Sequence, residues 1–122
     1  MTRLIIVRHG QTEWNRVERF RGRAVVPLND TGLRQAEAAA HRIARTWSVA
    51  AVYYSDLGRT RVTAEAIAAA CAAPMTPHAG LLDIDYGEWA GLSPDEVRER
   101  DGDLLDLWQT QPHLVRIPGG ES

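Results

Sequence analysis

Residues 3 to 9, R-L-I-I-V-R-H, form a short continuous apolar run with β-branched side chains. That is the pattern of a strand buried on both faces, as in a parallel sheet. Gly10 follows and suits a sharp turn. Residues 16 to 28 have no clear period and read as a loop carrying Arg16, Arg19, Arg21 and Arg23. From Asn29, a candidate helix cap, Leu33, Ala36, Ala40, Ile43 and Trp47 recur at spacings of three and four, which predicts a helix with one inward stripe. Residues 49 to 54, V-A-A-V-Y-Y, predict a second strand. Asp56 is a candidate cap for the next helix, which reaches about Cys71 with Val62, Ala66 and Ala69 or Ala70 inward.

A short third strand is expected from Pro74 to His78, then irregular chain from 80 to 92. Ser93-Pro94-Asp95-Glu96 is a strong helix start, a capping box with proline at the first helical position. Val97, Leu104, Leu105 and Trp108 form its stripe, and Gly102 is a candidate kink. The tail from Pro112 to Ser122 reads as loop. Strand, helix, strand, helix, strand in this order argue for an α/β layer fold. Ligands of such sheets bind beyond the carboxyl ends of strands. Two strand ends stand out: Arg8-His9-Gly10, and Ser55-Asp56 leading to Arg59.

Composition narrows the class. The chain has 122 residues, 44% hydrophobic and 25% charged, as an ordinary soluble domain or part of one has. A net charge of −2 gives no electrostatic case for nucleic acid or an anionic membrane. All 14 basic residues other than histidine are arginine, whose planar fork suits phosphate, although genome composition explains the bias equally well. Cys71 is the single cysteine, so no internal disulfide framework exists. Neither a membrane span nor a signal-peptide pattern is present in the sequence, and the expected location is the cytoplasm.

A lone histidine at a strand end is more often packed than catalytic. Arg8 changes that balance, because a fixed cation beside His9 favours a neutral imidazole and an anionic ligand. Gly10 lets backbone N–H groups approach that anion. Metal binding is disfavoured, since no second histidine lies at a ligand spacing.

L-I-I-V-R-H-G-Q-T-E-W-N, residues 4 to 15, resembles the signature of the histidine phosphatase superfamily, which includes phosphoglycerate mutases and small-molecule phosphatases. The likeness continues in order through R-G at 21–22, P-L-N-D-T-G-L-R-Q-A at 27–36, Y-S-D-L-G-R-T-R-V-T-A at 54–64, L-D-I-D-Y-G-E-W-A-G at 82–91 and P-G-G-E-S at 118–122. The resemblance implies a three-layer α/β/α fold with a mainly parallel sheet, phosphoglycerate mutase-like. Residues 1–122 would be the N-terminal part of a single catalytic domain, incomplete at the C-terminus.

It also implies roles. His9 would attack phosphorus and form a phosphohistidine. Arg8 and Arg59 would hold phosphoryl oxygens, and Asn15 would add a neutral hydrogen bond. Gln11, Thr12, Arg21 and Gly22 lie where the family contacts substrate or its phosphate. Asp83 would be the acid, at a position where the family usually has glutamate; Asp85 and Glu88 are its rivals, with Glu88 read as structural. Arg61 is read as a surface residue and Trp14 as packing. Phosphoryl transfer needs positioning and charge neutralisation, which forked arginines supply.

The family's second pocket histidine has no match here. His41, His78 and His113 lie in the wrong settings for it, so the expectation is that a missing C-terminal segment or self-association completes the sheet and the pocket. The function expected is hydrolysis of a small phosphorylated substrate without cofactor or metal. Phosphoglycerate mutase activity is the first alternative, and a non-catalytic phosphate-binding or inactive fragment the second.

Overall fold

The computed structural model describes every residue from Met1 to Ser122. Its contacts gather into two compact units, residues 1–12 with 27–81, and residues 13–26 with 82–122. The element order is α1 (Glu13–Arg16), α2 (Asp30–Thr46), β1 (Val52–Tyr54), α3 (Gly58–Cys71), β2 (Met75–Pro77) and α4 (Pro94–Thr110). Short 3₁₀ turns sit at Ala79–Leu81, Gly87–Trp89 and Pro112–Leu114.

In the first unit, α2 begins where the sequence predicts. Asn29 is extended, and its side chain accepts a hydrogen bond from the Gly32 N–H at 2.9 Å. Ala36, Ala40 and Ile43 are buried, and Ala40 and Ile43 meet Ile67 of α3 in one core cluster. Leu33 is exposed instead of completing the stripe. The strands β1 and β2 are parallel, with Val52 opposite Met75 and Tyr54 opposite Pro77.

Three further expectations for this unit are corrected. Asp56 does not cap α3; its N-cap is Leu57 with no side-chain bond, and Asp56 pairs instead with Arg61. The buried face of α3 is Arg59, Thr63, Ala64, Ile67 and Ala68, while Ala69 and Ala70 are exposed. Apolarity alone misplaced the stripe because two polar residues belong to it.

The third correction concerns residues 3 to 9, expected as a buried strand. They join no strand ladder. Leu4 and Ile6 are 82% and 94% exposed, Ile5 and Val7 37% and 39%. Exposure that alternates with period two is the mark of extended chain. A strand is buried only when neighbours cover it, and no strand of the 122 residues is hydrogen-bonded to this one.

The second unit is built around an aromatic core. Trp89, Val97, Leu105, Val115 and Ile117 are buried, with Phe20, Tyr86 and Trp108 packed against them. The Phe20 and Tyr86 rings meet edge-on at 5.0 Å, and Trp89 and Trp108 at 6.2 Å. The predicted capping box is present: Ser93 Oγ accepts from Glu96 N–H, and the Glu96 carboxylate accepts from Ser93 N–H. The kink in α4 lies at Asp101, one residue before Gly102. There the Asp101 carboxylate accepts the indole N–H of buried Trp89 at 2.9 Å. The one-turn helix α1 falls inside chain for which the sequence predicted no helix.

Candidate functional site

His9 is half-buried at the end of the extended N-terminal segment, and Arg8 beside it is exposed. The Nδ1 atom of His9 lies 2.7 Å from the Gly10 carbonyl oxygen. A carbonyl oxygen only accepts, so Nδ1 is the protonated nitrogen in this contact. The neutral ring then carries its lone pair on Nε2. That is the tautomer a nucleophilic imidazole needs.

Gly10 fits a place where no side chain could. A Cβ there would lie 2.3 Å from the Gly32 carbonyl oxygen at the start of α2. Its N–H donates to Thr63 Oγ1 at 3.2 Å, and Thr63 Oγ1 donates to the Arg59 carbonyl at 2.8 Å. One hydroxyl therefore ties the turn after His9 to the first turns of α3. Arg59 stands in that first turn and is 1% exposed. A guanidinium is seldom fully buried without an anion or acceptor to justify its desolvation.

Gln11 fastens the same turn to α2. Its N–H donates to Gln35 Oε1 at 2.8 Å, and its side-chain oxygen accepts from Asn29 Nδ2 at 3.0 Å. Thr12 is completely buried and bridges to Leu28. Sequence motifs pointed to His9, Arg8, Gln11, Thr12 and Arg59; Thr63 lies in the 54–64 block but was given no role, its signal being a small polar residue one helical turn after Arg59.

Asn15, Arg21, Gly22 and Asp83 belong to the second unit. Asn15 is half-buried on α1. Gly22 is buried with φ +49°, and a Cβ would fall 2.5 Å from the Ile84 carbonyl oxygen and 2.8 Å from the Tyr86 ring. Hence the loop 19–24 lies directly on the loop that carries Asp83. The Nε of Arg21 is buried without an acceptor. Asp83 is half-buried, and its Oδ1 accepts from Ile84 N–H at 2.9 Å. Burial pushes the Tyr86 phenol above its ordinary pKa; the Asp83 charge adds to this and the Arg21 charge opposes it.

The rivals of Asp83 are otherwise engaged. Asp85 Oδ1 accepts from Gly87 N–H at 2.9 Å and shapes the turn. Glu88 forms an ion pair with Arg100. His41 and His113 are exposed, and His78 accepts from Gly80 N–H at 3.1 Å. No group of three or more His, Cys, Asp or Glu is placed to hold a metal ion, and no helix is long and apolar enough to cross a membrane.

The chain belongs to the histidine phosphatase superfamily (branch 1), which it matches over residues 4–122. It is 36% identical over 122 residues to phosphoserine phosphatase 1 of Hydrogenobacter thermophilus, covering 100% of this chain and 57% of that protein. It is 39% identical over 128 residues to a probable phosphoglycerate mutase of Citrobacter koseri, covering 100% of this chain and 56% of the relative. Among solved structures, a mycobacterial glucosyl-3-phosphoglycerate phosphatase complexed with VO3 superimposes with a TM-score of 0.84 at 27% identity, over 93% of this chain and 54% of the other. The chain spans a third to just over half of the length of the curated relatives it matches.

Proposed function

We propose that the intact protein hydrolyses a small-molecule phosphate monoester through a phosphohistidine at His9, and that residues 1–122 are part of its catalytic domain. The observation that carries this is the 2.7 Å contact from His9 Nδ1 to the Gly10 carbonyl, which leaves Nε2 as the basic nitrogen. In the first step Nε2 attacks phosphorus in line as the P–O bond to the leaving group breaks. Asp83, in its carboxylic acid form, gives its proton to the departing oxygen. In the second step the Asp83 carboxylate takes a proton from water. The resulting hydroxide attacks phosphorus, the P–N bond breaks, and inorganic phosphate leaves with His9 and Asp83 restored.

Arg8 and Arg59 hold the phosphoryl oxygens, with Asn15, Gln11, Thr12, Arg21 and Gly22 as further contacts to phosphate or substrate. Burial supports the role of Arg59, because a desolvated guanidinium binds an anion more strongly than a solvated one. Asp83 is assigned on its place in the L-L-D-I-D-Y-G-E-W run and on the engagement of Asp85 and Glu88 elsewhere. The chemistry of these residues uses no cofactor and no metal.

A second reading, mutase activity, has the Citrobacter relative in its favour. Against it, the basic residues of α4 are already neutralised: Arg98 pairs with Asp106 at 2.8 Å and Arg100 with Glu88. The test is incubation of the intact protein with a labelled phosphate donor. Acid-labile phosphate on His9 and release of inorganic phosphate are expected. Interconversion of phosphoglycerates after priming by 2,3-bisphosphoglycerate would establish the mutase instead. Retention of full turnover by His9→Ala would end both.

A further inference from the structure

We propose that Glu121 is a positioning residue for Asp83, acting through Arg23. The inference rests on the assignment of Asp83 as the acid. Glu121 comes from the P-G-G-E-S run, which none of the chemistry above uses. Its carboxylate is divided between two partners that flank Asp83. Oε2 accepts from Asp85 N–H at 3.0 Å, and Oε1 accepts from Arg23 Nη2 at 2.7 Å. The Nε of Arg23 in turn donates to the Asp83 carbonyl at 3.1 Å. One carboxylate thus grips residue 85 directly and residue 83 through a guanidinium.

The backbone closes the clamp. Glu121 N–H donates to the Asp85 carbonyl at 2.9 Å, and Glu88 N–H donates to the Pro118 carbonyl at 2.8 Å. Gly120 is required for this approach, since a Cβ there would lie 2.3 Å from the Asp85 carbonyl oxygen. Between the two gripped residues, Ile84 N–H holds Asp83 Oδ1 at 2.9 Å. That bond fixes the carboxyl orientation only while the backbone at 83–85 keeps its course. Arg23 and Glu121 are about half exposed, and exposed ion pairs add little stability. What the bridge supplies is aim, which a proton donor needs within a fraction of an ångström.

The test uses the intact protein and two substrates. Nitrophenyl phosphate has a leaving group that departs without a proton, whereas glycerol phosphate expels an alkoxide that needs one. Glu121→Ala and Arg23→Gln, which break the bridge from opposite ends, should each lower kcat/KM for glycerol phosphate by about 10- to 100-fold. For nitrophenyl phosphate the expected loss is under about threefold, since the proton donor contributes little there. Asp83→Asn, the control, should show the same selectivity at larger amplitude. Equal losses on both substrates, or none, in both bridge variants beside a selective Asp83→Asn would overturn the role of Glu121 alone. An unselective Asp83→Asn would remove the acid itself, and the proposal with it. If one bridge variant lacks a cooperative melt, the other decides.

Discussion

Thr63 Oγ1 accepts a hydrogen bond from the Gly10 N–H across 53 positions of sequence. The same hydroxyl donates to the Arg59 carbonyl, so the turn after His9 and the helix bearing Arg59 share one atom. Thr63→Val keeps the shape and removes that atom. A buried amide left without an acceptor costs about 1–3 kcal/mol. The intact variant should lose that much in urea unfolding, and its turnover should fall by about tenfold or more from lost orientation. Thr63→Ser should recover most of both. Wild-type turnover in Thr63→Val would show that the tether has no part in placing His9.

Arg59 should be irreplaceable by its nearest relative. Arg59→Lys keeps the charge but loses the planar fork. Its expected effect is a rise in the inhibition constant for inorganic phosphate or vanadate together with a loss in kcat of about 10- to 1000-fold, the scale on which removing a charge-stabilising donor acts. Inhibitor titration of the intact protein reads the first, and initial rates the second.

Two residues share nearly the same left-handed backbone with opposite consequences. Gly22 has φ +49° and is packed against Ile84 and Tyr86. Gly22→Ala should destabilise by about 1–3 kcal/mol through backbone strain alone, and more through the clash. Ala72 has φ +50° at the end of α3 and is exposed. Ala72→Gly relieves the conformation without losing a contact, and should stabilise by up to about 1 kcal/mol. Differential scanning calorimetry of the two variants should give shifts of opposite sign.

Tyr86 sets an alkaline limit. Its phenol is raised above the ordinary 10.0 by burial first and by Asp83 second. The unfolded chain therefore loses this proton at lower pH than the folded one. The stabilisation is fully present below pH 10 and is lost as pH climbs through the folded value. Melting temperature should drop above about pH 10, more steeply in the wild type than in Tyr86→Phe. Parallel curves for the two proteins would contradict this.

Local chemistry was readable in the sequence; distant chemistry was not. Asn29 and Ser93 cap helices through bonds that span three residues, and both were legible. The motifs containing His9, Arg59 and Asp83 were legible as family motifs because the likeness runs in order along the chain, and the family match covers residues 4–122. The run from 3 to 9 has strand-like apolarity, yet its burial depends on neighbours that no local pattern encodes. Asp56 looked like a cap, but the helix starts one residue later with Leu57 at the N-cap, and Asp56 pairs with Arg61. The inward face of α3 was misread because two polar residues, Arg59 and Thr63, lie on it. Arg23 and Glu121 are separated by 98 positions, and nothing in either local sequence announces the other.

Trp89 gives the molecule its own optical gauge. It is the only one of the four tryptophans that is fully buried, and its indole N–H is bound to Asp101. Emission from a ring so enclosed should be blue-shifted and should move to the red as water enters. Trp89 sits within the run from Asp83 to Gly91, so its share of the emission should move to the red as that stretch loosens, beside the shares of Trp14, Trp47 and Trp108.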